Sequence, residues 1–183
     1  MNKILPTPEG LHIEESTSNL VISYHWYKAM AWFLVFFAIF WNGFMLVWFL
    51  ADTPILFKIF GSLHVAVGIG LVWYILCLFV NTTTITITRH ELQIRHTPLP
   101  SPLHRNMTIS RTDISQIYIV RSQTTSKSGS ISYTFALHVV LSKNESKKLS
   151  IDCDEYDRAL FFKRKMEQYM RIEPKAVEGE YIA

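Results

Sequence analysis

Seven histidines are the residues of this chain best suited to hold a metal ion or relay a proton: His12, His25, His64, His90, His96, His104 and His138. Their spacing builds neither site. No pair follows the His-x-x-x-His or His-Glu-x-x-His pattern that sets two imidazoles on one helix face. His90, His96 and His104 gather around a proline-rich stretch, where they read either as a surface metal site or as solvated loop histidines. Asp152, Asp154, Glu155 and Asp157 crowd one short segment, but acids just ahead of a helix satisfy its free N–H groups and favour its dipole. That role fits them better than acid–base catalysis. No glycine-rich loop is present to cradle a phosphate, and no serine sits in a nucleophile elbow. Cys77 and Cys153 are too few for a disulfide framework or a thiolate metal site. These residues predict a non-enzymatic protein with no catalytic residue, no metal and no cofactor.

The cations offer one binding chemistry. Arg89, Arg95, Arg105, Arg111 and the run Lys163-Arg164-Lys165 form either a solvated surface or a contact for anionic lipid headgroups, where each basic group contributes about 1 kcal/mol. Nucleic acid is not an expected partner. Net charge is only +3, from 18 Lys and Arg against 15 Asp and Glu, and no aromatic platform is interleaved with the basic residues.

The elements that must carry these groups begin with two apolar runs. Met30 to Leu50 holds no charged side chain in 21 residues, and Ile59 to Val80 none in 22. A helix crosses the hydrocarbon of a bilayer in about 20 residues, so each run is long enough to span. The break between them, with Asp52, Thr53, Pro54 and Lys58, has room only for a tight turn. Two basic residues precede the first run, one lies at the turn and fifteen follow the second. Basic residues near span ends stay on the cytoplasmic side, so both termini are expected in the cytoplasm and the turn outside. The first 28 residues do not read as a cleavable signal, because the apolar stretch begins late and is too long. The sequons at Asn81, Asn106 and Asn144 then occur by chance.

Small residues every four positions let two membrane helices approach closely. Ser62, Ala66 and Gly70 form such a stripe in the second run, and Ala31, Ala38 and Asn42 a comparable one in the first. The stripe packs the hairpin on itself or meets another membrane protein or a second copy. Asn42 and His64 are the strongly polar side chains well inside the spans. Counted from the turn, their depths differ by only about 4–5 Å at 1.5 Å per residue, which predicts a direct or water-bridged hydrogen bond between them. Trp32, Trp48, Trp73 and Tyr74 lie toward span ends, where amphipathic rings favour the interface. Trp41, nearer mid-span, faces lipid or the partner helix.

After Asn81 the apolar period becomes two. Thr82 to Thr88, Glu91 to His96, Met107 to Ser110, Ile114 to Arg121, Ile131 to Leu141 and Lys147 to Ile151 read as strands. They are separated by the prolines at 98, 100 and 102, a mobile polar loop at Ser122–Ser130 and a turn at Ser142–Ser146. A strand-like segment, Asn19 to Tyr27, precedes the first apolar run and is expected to pair with the strand at Thr82. Ala159, Phe162, Met166, Tyr169 and Met170 then share one helical face, with Asp152 or Asp154 as N-cap and a frayed tail beyond Arg171.

The strand before the hairpin, the aromatic-rich spans, the strand Asn81 to Thr88, Glu91 to Ile94, Asp113 to Ile119 and the helix Asp154 to Arg171 together resemble the bacterial membrane-anchored PH-like (pleckstrin-homology-like) domain proteins. The resemblance covers residues 18 to 171 and rests on strand patterns. It implies an α+β membrane protein: a two-helix transmembrane hairpin inserted before a PH-like antiparallel β-barrel or sandwich, closed by a C-terminal capping α-helix. The expected divisions are a tail over 1–18, a pairing strand over 19–28, the hairpin over 29–80 with spans at 30–50 and 59–80, the PH-like domain over 81–171 and a flexible tail over 172–183. The expected function is a membrane-anchored binding or scaffold module at the bacterial inner membrane. It would present its cytoplasmic domain to protein or lipid, or act as an accessory subunit of a larger membrane complex. Asn42, Ser62, His64, Ala66 and Gly70 are the expected hairpin-packing residues. Lys163, Arg164 and Lys165 are the candidate headgroup contacts.

Overall fold

The computed structural model describes residues 7–182 apart from 53, 102, 127–128 and 143–144. The chain divides into two compact units: residues up to Tyr24 with Thr84–Arg95 and the chain from His104 onward, and His25–Thr83 with His96–Leu103.

In the first unit alternation decides the strands. β1 (Leu11–Glu15) and β2 (Asn19–His25) form a hairpin, paired from Leu11 opposite Tyr24 to Glu15 opposite Leu20. β3 (Thr82–Thr88), β4 (Glu91–Thr97) and β5 (Met107–Ser110) complete a five-stranded sheet in the order β1-β2-β3-β4-β5. β2 and β3 are therefore neighbours, although the whole apolar hairpin lies between them in sequence. One 3₁₀ turn, Arg111–Asp113, leads into a second antiparallel sheet of β6 (Ile114–Thr125), β7 (Ile131–Leu141) and β8 (Ser146–Cys153). Among the described residues the strands form two open sheets, so of the expected barrel or sandwich the closed barrel is not what forms.

The isoleucines of the alternating strands point to one core. Ile22, Ile85, Ile87, Ile94, Ile117 and Ile151 are fully buried, together with Phe162 and Met166 of α3 (Tyr156–Met170). The helix closes this core as its apolar spacing predicts, with the Phe162 ring 5.9 Å from that of Tyr24 on β2. It starts later than expected: Glu155 is the N-cap, without a side-chain cap bond, and Asp157 lies in the first turn. Its end is held by Arg111, whose guanidinium donates to the Met170 carbonyl, a cation where the helix dipole favours one.

Two differences from the sequence reading have local causes. β1 falls in what reads as a tail, because its exposed Glu14 and Glu15 dilute the pattern of a short edge strand. β6 runs on to Thr125, so much of the expected Ser122–Ser130 loop is ribbon. The turn itself needs Gly129 at φ +81°, where a side chain would be strained. The turn at Ser142–Ser146 and the sequon at Asn144 lie partly outside the described residues.

The second unit holds α1 (Met30–Leu50) and α2 (Ile55–Val80). Both are long and apolar enough to cross a membrane, and only 11% and 17% of their most apolar windows are buried. A core helix of a soluble protein would be mostly buried, so these helices turn their apolar surface outward. α2 begins four residues earlier than expected, directly after Pro54, since Ile55, Leu56 and Phe57 continue its apolar surface across Lys58.

Candidate functional site

The helix pair packs on a seven-residue repeat. Ala31, Ala38 and Met45 are buried on α1, and Gly61, Gly68 and Ile75 on α2. This is the spacing of helices that wrap with a left-handed twist. The glycines are contact points. A Cβ at Gly68 would lie 2.5 Å from Asn42 Oδ1 and 3.2 Å from Trp41, and one at Gly61 would lie 3.1 Å from the Phe49 ring. Asn42, Ala31 and Ala38 thus face the partner helix as expected. Ser62, Ala66 and Gly70 do not: all three are exposed, and a Cβ at Gly70 would meet nothing within 4 Å. The expected stripe is displaced from the true contact because only the row at 61, 68 and 75 matches the heptad of α1.

Asn42 and His64 do not bond directly to each other. Asn42 Nδ2 donates to the Ala38 carbonyl at 2.8 Å, and His64 Nδ1 lies 3.3 Å from the Phe60 carbonyl. Each side chain satisfies itself on the preceding turn of its own helix, a common resort of polar groups within helices. Equal depth fixed their height and left their angle around the axis open. The polar bridge between the helices comes from Trp41, whose Nε1 donates to the His64 carbonyl at 3.2 Å while its ring stacks on the imidazole at 5.9 Å. Of the two alternatives for Trp41, it faces the partner helix.

Where the helices return to strand, a polar collar forms. Asn81 is fully buried and ends α2 through its own N–H, 2.9 Å from the Cys77 carbonyl. Its side chain grips Leu99 at both backbone groups, donating to the carbonyl at 2.9 Å and accepting from the N–H at 2.8 Å. Thr83 Oγ1 accepts from Trp26 Nε1 at 2.6 Å and pairs with His96 Nδ1 at 2.9 Å. His96 is therefore buried, not a solvated loop histidine. Trp73 Nε1 donates to the Pro100 carbonyl at 3.1 Å. None of the collar residues was singled out from sequence as a group. The available signal was Asn81, an uncharged polar residue at the end of 22 uncharged ones, and its burial leaves no access for a glycan.

The basic run on α3 separates into three environments. Lys163 is only 9% exposed; its ammonium pairs with Glu180 and lies 3.8 Å from Glu167 Oε1. It is not placed to meet a headgroup, because the helix turns it toward the tail. Lys165 pairs with Glu15 at 2.5 Å, and Arg164 is exposed. Glu167 Oε1 is buried with no hydrogen-bond donor among the described residues. Burial, helped by the Glu180 carboxylate and opposed by Lys163 and Arg164, pushes the Glu167 carboxyl up to about 7. Between Ile172 and Ile182 the tail is also packed rather than frayed. Tyr181 N donates to the Ile119 carbonyl at 2.8 Å, and its ring packs 5.6 Å from Phe135 and 5.3 Å from Tyr156.

On the outer side of β7 and β8, His138 stands opposite Lys148, with the Tyr118 ring 5.4 Å away. Burial holds the His138 and His104 imidazoles below their ordinary value, with Lys148 pushing the same way and Asp152 opposing. Among the described residues no group of three His, Cys, Asp or Glu side chains is arranged to hold a metal. Compared with known proteins, the chain matches no family model and no curated protein sequence.

Proposed function

We propose that this protein is a non-enzymatic, membrane-anchored binding or scaffold module of PH-like form, held in the bacterial inner membrane by α1 and α2 with both termini cytoplasmic. The observation that carries the binding role is the β6–β7 ribbon. Its distal half, Arg121–Thr125 with Ile131–Tyr133, is exposed, yet it displays Ile131 at 53% and Tyr133 at 41% exposure. An aromatic and an aliphatic side chain on a paired, stiff ribbon suit recognition, since such anchors lose little conformational entropy on binding. Arg121 lies 5.0 Å over the Tyr133 ring and steadies it. The ligand in this reading is a protein. A photo-crosslinking side chain at position 131, in the full-length protein in native membranes, should yield one discrete adduct that disappears with Tyr133→Ala. A crosslinker at Ser115 giving the same adduct would contradict the reading.

A second reading, an accessory subunit of a larger membrane complex, is favoured by the face of Ser62, Ala66 and Gly70 that the hairpin leaves uncovered. Ala66→Leu would then release a stoichiometric membrane partner in mild detergent without loosening the hairpin.

A further inference from the structure

We propose that Pro98–Ser101, tied to the last two turns of α2 through Leu99 and Pro100, and Leu103 shortly after it sit in the headgroup layer of the bilayer and form a lipid-contacting collar with Tyr27, Trp32 and Trp73. The inference rests on the reading that α1 and α2 span the membrane, and it fixes where along them the bilayer lies.

The backbone of this segment is prepared for a place poor in water. Pro98 and Pro100 carry no N–H, and the N–H of Leu99 between them is taken by Asn81 Oδ1 at 2.8 Å. The Leu99 carbonyl accepts from Asn81 Nδ2 at 2.9 Å and the Pro100 carbonyl from Trp73 Nε1 at 3.1 Å. Three consecutive residues thus present no free N–H donor, and two of their carbonyls are occupied by side chains of α2 and its C-cap. The side chain beyond them, Leu103, is 67% exposed.

Those bonds also limit how deep the segment can go. If the hydrocarbon were centred on the uncharged run Ile59 to Val80, Trp73 would lie only ~5 Å from the midplane at 1.5 Å per residue. Non-helical backbone bonded to its indole would then be inside lipid, where irregular chain does not occur. Setting the hydrocarbon boundary at Trp73 removes the conflict. Ile55 to Trp73 is 19 residues, or ~28 Å, one hydrocarbon thickness. This register also accounts for Ile55, Leu56 and Phe57, which are exposed on the far side of Lys58. They enter the bilayer, and the Lys58 ammonium reaches the opposite surface on its flexible stem. Trp73, with Tyr27 and Trp32 at the start of α1, then falls where aromatic rings concentrate at membrane interfaces.

The test is a depth measurement on the full-length protein in vesicles of phosphatidylcholine and phosphatidylglycerol. Nitroxides are placed singly by Leu103→Cys, Ile69→Cys and Ser126→Cys, all at exposed positions; Cys77 and Cys153 are buried and compete little for label. Collisions with oxygen and with a water-soluble nickel chelate report depth. Ile69 should be open to oxygen and shielded from nickel, Ser126 the reverse, and Leu103 between them with a partial loss of nickel access. Leu103 as open to nickel as Ser126, or as shielded as Ile69, with Ile69 still in hydrocarbon, overturns the collar and leaves the span intact. Nickel reaching Ile69 overturns the span, and the collar with it.

Discussion

The two units use the same apolar side chains in opposite directions. Ile87, Ile94 and Ile117 are fully buried among the strands, whereas Phe36, Ile39 and Ile69 are each more than 60% exposed on the helices. The β-unit is held together by removing apolar surface from water. The hairpin gains nothing that way when surrounded by lipid, so its cohesion falls to close backbone approach at glycine and to contacts such as the Trp41 hydrogen bond to the His64 carbonyl. Their polar groups divide likewise. The collar pairs Asn81, Thr83, Trp26 and Trp73 through hydrogen bonds, while the Lys163, Glu167 and Glu180 cluster is ionic and carries one carboxylate too many.

The sharpest way to break this contrast is to remove the same kind of bulk from each unit. Phe162→Ala should destabilise the β-unit by about 3–5 kcal/mol, as emptied aromatic core sites do, read as a fall in the denaturant midpoint. Ile69→Ala should shift the detergent-solubilised protein by less than about 1 kcal/mol. Equal losses would mean that the helices are an ordinary core.

Charge gives the next effect. The unfolded Glu167 carboxyl ionises near 4.5 and the folded one near 7. Between those values the folded state binds more protons, so stability falls as pH rises through the window and stays lowered above it. Glu167→Gln should therefore raise stability at pH 8 by at most about 3 kcal/mol, leave it nearly unchanged at pH 4, and flatten the profile between. A uniform gain at both pH values would assign the effect to packing instead.

A smaller difference is expected inside the hairpin. Gly68→Leu pushes into Asn42 and Trp41 and should destabilise it by about 1–3 kcal/mol, whereas Gly70→Leu enters open space and should leave the helix pair intact in a detergent melt. Reversal of that order would restore the stripe at Ser62, Ala66 and Gly70 as the contact. Least of all, Lys165→Ala, which removes a partly exposed ion pair to Glu15, should change the midpoint by under about 1 kcal/mol.

The β-unit was more legible in the sequence than the hairpin contacts. Alternation in Thr82 to Thr88 and in Ile131 to Leu141 encodes both strand and face, because a side chain in a strand has two directions to choose from. A helix offers every angle, and α2 carries small residues in two registers. Choosing between them required the row at Ala31, Ala38 and Met45, which has the same seven-residue interval as Gly61 and Gly68. The collar was hidden for a different reason: Asn81 and Leu99 are far apart in the chain, and nothing local in either marks the other as a partner. Three consecutive cations, Lys163, Arg164 and Lys165, cannot share one helix face, and treating them as one patch overlooked that geometry.

Sidedness tests the whole arrangement most directly. In intact cells a membrane-impermeant maleimide should label Ala51→Cys, at the turn between the apolar helices, while Ser126→Cys on the ribbon reacts only after the cells are opened. Labelling of both positions in intact cells, or of Ser126→Cys alone, contradicts a hairpin that crosses the membrane and returns.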